Sequence, residues 1–230
     1  MSFYLWDSYF FSFLQVVNGL AVTPATYINS IFTVGGCLWS VAVGLFIRAT
    51  GRYKAPALYF GMPLTFLGVA SMLLFRRPEV WLGWLILCQI LIAVAGGSFV
   101  ICEQIAAMAA VSHQHIAVVL AIEAMFTSIG AAMGQSLAAA IWTGEFPKKL
   151  AEYLPPESRG DLKAIYGDIR VQLSYPMGSP TRMAIARAYA DAQKLMLVAS
   201  TTILVIGLVA IMAWRDVNVK HIKQVKGIII

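Results

Sequence analysis

Two glutamates inside apolar runs, Glu103 and Glu123, are the residues of this chain best placed to do chemistry. They flank the turn Ser112-His113-Gln114-His115, with Glu103 nine residues before Ser112 and Glu123 eight after His115. On two antiparallel helices joined there, both carboxylates would stand about 12–14 Å from the turn. Two carboxylates close together in a low dielectric do not both ionise readily, and they can share a proton that is lost on one face. An ionisable group within an apolar span is costly, so it usually faces a bundle interior or a water-filled path. The competing reading is packing, with each carboxyl hydrogen-bonded to a neighbouring helix. Gln89, Gln104 and Asp7 join the pair as pathway candidates. Gln89, Gly96 and Glu103 recur every seven residues along one stripe, and Asp7 shares a face with Asn18, about three turns on. Asp7 reads equally well as an acid at a helix end. His113 and His115 invite a metal reading, but in a short polar turn they read better as helix-end contacts. The sequence offers no metal cluster, nucleophile–base pair or phosphate-cradling glycine loop, so no cofactor and no enzymatic activity are expected.

The elements that must position these groups follow from composition. Sixty per cent of the 230 residues are hydrophobic and only 12% are charged, against roughly 25% charged in soluble domains. Apolar runs long enough to cross a bilayer recur along the chain, which predicts an all-α integral membrane protein. Six spans are expected, at residues 3–20, 24–47, 55–75, 80–111, 116–142 and 195–214. The first starts two residues after Met1 without a cap, as a helix lacking its upstream part would. Polar side chains concentrate in the first, second, fourth and fifth spans; the third and sixth carry none stronger than Ser or Thr. That pattern predicts a four-helix lining with the third and sixth spans outside. The organisation expected is therefore five membrane helices over residues 1–142, an extramembrane insert over 143–193, a last membrane helix over 194–214 and a basic cytoplasmic tail over 215–230. The insert is expected to hold helical pieces at 148–154, 161–165 and 181–193. Gly130-x-x-x-Gly134 reads as a small-residue packing ridge. The net charge of +6 lies mostly between spans and in the tail, where lipid head groups and the positive-inside bias account for it, so nucleic acid is not an expected partner.

The segment Gly44-Leu-Phe-Ile-Arg48-Ala-Thr-Gly51-Arg52-Tyr53-Lys54 resembles the basic signature loop G-x-x-x-D-R-x-G-R-R/K of the major facilitator superfamily, in its C-terminal-half copy. Arg48 stands where that pattern has aspartate; both glycines and Arg52 remain. More specifically, the chain resembles the fungal siderophore–iron transporters throughout its length. Carrying this are Phe3-Tyr-Leu-Trp-Asp7, Ala95-Gly-Gly-Ser, Val111-Ser-His113-Gln, Ala138-Ala-Ala-Ile-Trp142-Thr143, Ile165-Tyr166-Gly167 and Tyr175-Pro176-x-Gly178-Ser-Pro180-Thr-Arg182. The resemblance covers only the family's C-terminal portion. It implies a six-helix bundle like the C-terminal half of such a transporter, and a role in proton-coupled import of ferric siderophores. Substrate and protons would be its partners within a lipid bilayer, in the plasma membrane or an endosomal or vesicular membrane. It also implies that Tyr166, Arg170, Tyr175 and Arg182 of the insert meet the chelate by stacking and charge; folding the insert over the bundle is the other reading. Alternating access rocks one half against another, so a missing N-terminal half or a second copy would be needed to close a pathway. Two further functions stay open: a facilitator carrying another substrate, such as a drug or organic anion, and a non-transporting membrane fragment.

Overall fold

The computed structural model describes residues 1–221; the expected tail residues Lys223 and Lys226 lie outside them. Among the described residues all regular structure is helical. Two short helices, α1 (Ser2–Asp7) and α2 (Phe10–Val16), stand where one first span was expected. The break at Ser8–Tyr9 is held from outside: the Gln193 amide donates to Tyr9 O (2.7 Å) and the Arg76 guanidinium to Trp6 O (3.0 Å). Trp6 O, released by the break, needs such a partner, whereas Tyr9 O also accepts the Phe13 N–H (3.1 Å) that opens α2.

Helix α3 (Val22–Thr50) ends at Gly51, whose φ of 74° makes the left-handed cap and whose N–H returns to Ile47 O; glycine takes that conformation without a Cβ penalty. A π-helical turn, Pro56–Gly61, leads directly into α4 (Met62–Phe75), and Pro78 forbids its continuation. Helix α5 is Leu82–Ala109 and α6 is Ile116–Tyr153. After α7 (Leu162–Gly167) and α8 (Ile169–Ser174) comes α9 (Pro180–Ala213), capped by Ser179 accepting from the Arg182 N–H, with proline at its first position. Among the described residues, five stretches are long and apolar enough to cross a membrane: 22–50, 56–75, 82–109, 113–153 and 180–213.

Helices α6 and α9 run well past the span limits expected at residues 142 and 194. The pieces expected at 148–154 and 181–193 are their continuations. The reason is packing. Trp142, Phe146 and Leu150 prolong the buried stripe of Gly134 and Ala138, and Tyr9, Trp142, Phe146 and Tyr189 form one aromatic cluster. That burial outweighs the N–H lost at Pro147 inside α6. Helix α9 carries buried polar residues too: Arg182 and Gln193 before the expected sixth span, and Ser200 within it.

Helix α3 lies along α5; α4 packs on α5 and α9; α6 packs on α9 and α1. Small residues set the closest approaches. A Cβ on Gly97 would come within 2.3 Å of Gly36 O, and one on Gly134 within 2.6 Å of Met1 O. The ridge at Gly130–Gly134 is therefore a packing surface for α1. The stretch 116–129 of α6 holds no fully buried residue, although α5 packs on α6 and Ile116, Val119, Leu120 and Glu123 are half-buried.

Candidate functional site

The polar groups fall at three levels. Nearest the 110–115 turn, Glu103 of α5 and Glu123 of α6 are both half-buried and feel one another's charge. This is the pairing that equal offsets from one turn require. Glu123 Oε2 is buried with no hydrogen-bond partner, among the described residues. Gln104, next to Glu103, is half-buried. Gln89 lies fourteen residues before Glu103 on α5, about 21 Å along the axis. It is 1% exposed, and neither its amide oxygen nor its nitrogen has a partner among the described residues. A buried amide with no partner costs on the order of 1–3 kcal/mol unless something else satisfies it.

Asp7 belongs to a third group, at the insert end. It closes α1 just before the break and is within electrostatic range of Arg76, without an ion pair among the described residues. Arg76 itself is 2% exposed. Its guanidinium carbon lies 4.6, 5.2 and 5.9 Å from the ring centres of Phe10, Phe13 and Trp6, a desolvated cation–π cage. Burial pulls its pKa down to about 9, and the Asp7 carboxylate opposes that shift. In the sequence Arg76 is simply the residue after the expected third span, 55–75. The spacing of Trp6, Phe10 and Phe13, one face of successive helical turns, was the available hint that a cation would sit there.

The signature segment has a structural task. Gly51 O accepts from the Val219 N–H, and a Cβ on Gly51 would collide with Asn218 Oδ1 at 2.1 Å. Tyr53 donates its hydroxyl to Arg215 O (2.6 Å), and Lys54 Nζ donates to Met212 O (2.8 Å) and Trp214 O (2.6 Å). These residues cap the open carbonyls at the end of α9, where a cation also complements the helix dipole. Arg48 and Arg52 are exposed, and Gly44 meets nothing within 4 Å of a Cβ built on it. Tyr53 and Lys54 thus do the clamping, and the basic turn shares one end of the bundle with the start of the tail. At the neighbouring turn, Ser112 Oγ and His115 Nδ1 are 2.9 Å apart.

The four insert residues separate. Arg182 is 3% exposed and bonds Val16 O (2.9 Å), Gln15 O (3.2 Å) and Gln172 O. Of the two roles left open for it, ligand contact or folding of the insert, these bonds are of the second kind: it caps the end of α2 and ties down α8, because a helix stopping at Val16 leaves carbonyls that only a forked donor can gather. Tyr166 is half-buried, its ring 6.1 Å from Phe146. Tyr175 is half-buried, and its hydroxyl reaches Asp161 at 3.4 Å. Arg170 is exposed. The insert is fastened further by Ser158–Thr181 (2.7 Å) and by Tyr189 donating to Gln172 (2.8 Å), whose amide donates to Ile165 O (2.7 Å).

No protein-family model and no solved structure matches the chain. Curated proteins do. It is 59% identical over 230 residues, its whole length, to "MFS siderochrome iron transporter 1" of Ajellomyces capsulatus, of which it covers 39%. It is 42% identical over 229 residues to "MFS siderochrome iron transporter D" of Aspergillus fumigatus and 40% over 229 residues to "Siderophore iron transporter mirB" of Emericella nidulans, covering 38% of each. The chain thus spans about two fifths of the length of the curated relatives it matches.

Proposed function

Because this chain belongs to the fungal siderochrome iron transporters of the major facilitator superfamily, we propose that it builds the C-terminal helical half of a proton-coupled importer of ferric siderophores. The observation that carries this reading is whole-length identity to proteins named as siderochrome transporters. The polar ladder inside an otherwise apolar bundle supports it. Glu103 and Glu123 hold and release the coupled proton, with Gln104 beside them. Gln89 offers its free amide to the path between the two ends, and Asp7 with Arg76 sets the charge at the insert end. Arg170, with the partly exposed rings of Tyr166 and Tyr175, meets the incoming chelate; Arg182 holds the insert in place. The insert faces outward and the turn at 48–54 inward, across a plasma, endosomal or vesicular membrane. An N-terminal half, or a second copy of this chain, supplies the opposite wall.

The test is uptake of labelled ferric hydroxamates by the full-length parent carrying this segment, measured across a range of external pH. Glu103→Gln and Glu123→Gln should each abolish pH-dependent uptake while surface expression persists. Unaltered pH-dependent uptake in both variants removes the glutamates from the mechanism. Transport of organic anions or drugs, with ferric siderophores refused, transfers the chain to another class of facilitator.

A further inference from the structure

At the insert end of the bundle, the loop after α4 meets α6 and α9 around a cavity of about 430 Å³. It lies far from Glu103 and Glu123, which sit close to the opposite end. Its charged lining is unequal: Arg76, Arg77, Arg187 and Lys194 face Glu79 and Asp191. Arg187, Asp191 and Lys194 share one face of α9 at helical spacing. Tyr153 already occupies Asp191 with a 2.6 Å hydrogen bond. Arg77, Arg187 and Lys194 are exposed, and among the described residues none of them makes an ion pair. Beneath them Arg76 is almost wholly buried, and its Nε and Nη2 have no hydrogen-bond partner among the described residues. Four cations against two acids, one of the cations desolvated and under-bonded, suit an anion with several acceptor oxygens.

Depth narrows the source of that anion. Lys194 immediately precedes the apolar stretch of α9, and Arg77 follows the last turn of α4, so the cavity stands at head-group level. Below it, Leu74 of α4 and Val198 of α9 are exposed apolar side chains, 62% and 45% accessible. Val198 extends the stripe of Arg187, Asp191 and Lys194 by one more turn.

We propose that this cavity binds a phosphate group, presented by a membrane glycerophospholipid whose acyl chains lie along Leu74 and Val198. Arg187 and Lys194 hold the phosphate oxygens, and Arg77 closes over them from the loop. The test is thermal unfolding of the purified 230-residue chain in neutral detergent. Dioleoyl phosphatidylglycerol should raise the midpoint by about 4 °C or more at saturation. Arg187→Ala/Lys194→Ala should lose that shift, whereas Lys148→Ala/Lys163→Ala, an equal loss of charge outside the cavity, should keep it. A smaller response to inorganic phosphate at about 10 mM identifies the lipid as the source, and an equal response identifies a free phosphate; either supports the site. An equal shift with uncharged dioleoylglycerol, or with the Arg187/Lys194 variant, overturns it, and so does loss of the shift in the Lys148/Lys163 control.

Discussion

Arg182 shows why a buried cation in a membrane bundle need not be a ligand group. It is almost fully enclosed and spends its guanidinium on main-chain oxygens near a helix end. Arg182→Met would strand the carbonyls of Gln15, Val16 and Gln172, a loss of roughly 2–4 kcal/mol. Arg182→Lys should recover little of it, because one ammonium cannot replace a planar fork aimed at three acceptors. Thermal unfolding in detergent checks both variants, and a midpoint within a degree of the parent for the Met variant sinks the assignment. From sequence alone Arg182 could be read toward an anionic ligand or toward the backbone, since an arginine between a turn and a helix suits both. The deciding fact, a helix that stops at Val16, is invisible in an apolar run with no proline or glycine before Gly19. The glutamates were legible by contrast. Their shared depth depends only on helical rise and equal distance from one turn, and both quantities can be counted along the chain.

Among the elements, the contact of α3 with α5 depends on the absence of side chains. Gly36 and Gly97 meet backbone to backbone, so Gly97→Val drives a side chain into the Gly36 carbonyl and should separate the helices. A cost of about 1–3 kcal/mol is expected from overpacking of this kind. Gly44→Ala, at a site on α3 where a Cβ meets nothing, should be neutral or stabilise by up to roughly 1 kcal/mol. Unfolding midpoints that shift equally for the two variants would refute the close approach. The small-residue positions could be read from the sequence, and so could the existence of each long helix; which glycine touches which partner could not. That two helices run beyond the expected span limits has a single cause. Composition turns polar at Thr143 and again before Lys194, but α6 and α9 follow their buried stripes, Trp142–Phe146–Leu150 and Thr181–Gln193. Helices of this length can leave the hydrocarbon and continue, so a change in polarity marks a change of surroundings rather than a helix end.

For the whole molecule, the uneven cover of α6 is the feature with functional weight. From Gly134 onward it is packed against α1 and α9, whereas Val118, Ile122, Met125, Phe126 and Ile129 all stand exposed. Glu123 lies in this more open stretch, half-buried, with one carboxylate oxygen buried and unpartnered among the described residues. Lipid could face one side of the helix, but it offers no polar partner to a carboxyl group. A second protein surface should therefore cover part of the face in the transporting assembly. The expected outcome is that the 230-residue chain expressed alone gives no ferric siderophore uptake, and that the full-length parent transports. In the same pair of preparations, Met125→Cys should react quickly with a membrane-permeant maleimide in the isolated chain and several-fold more slowly in the parent. If a second copy serves as the opposite wall, a cross-linked dimer of the isolated chain should instead transport, with Met125→Cys protected. Uptake by a monomer of this chain, with Met125→Cys still reactive, would show that no second wall is required.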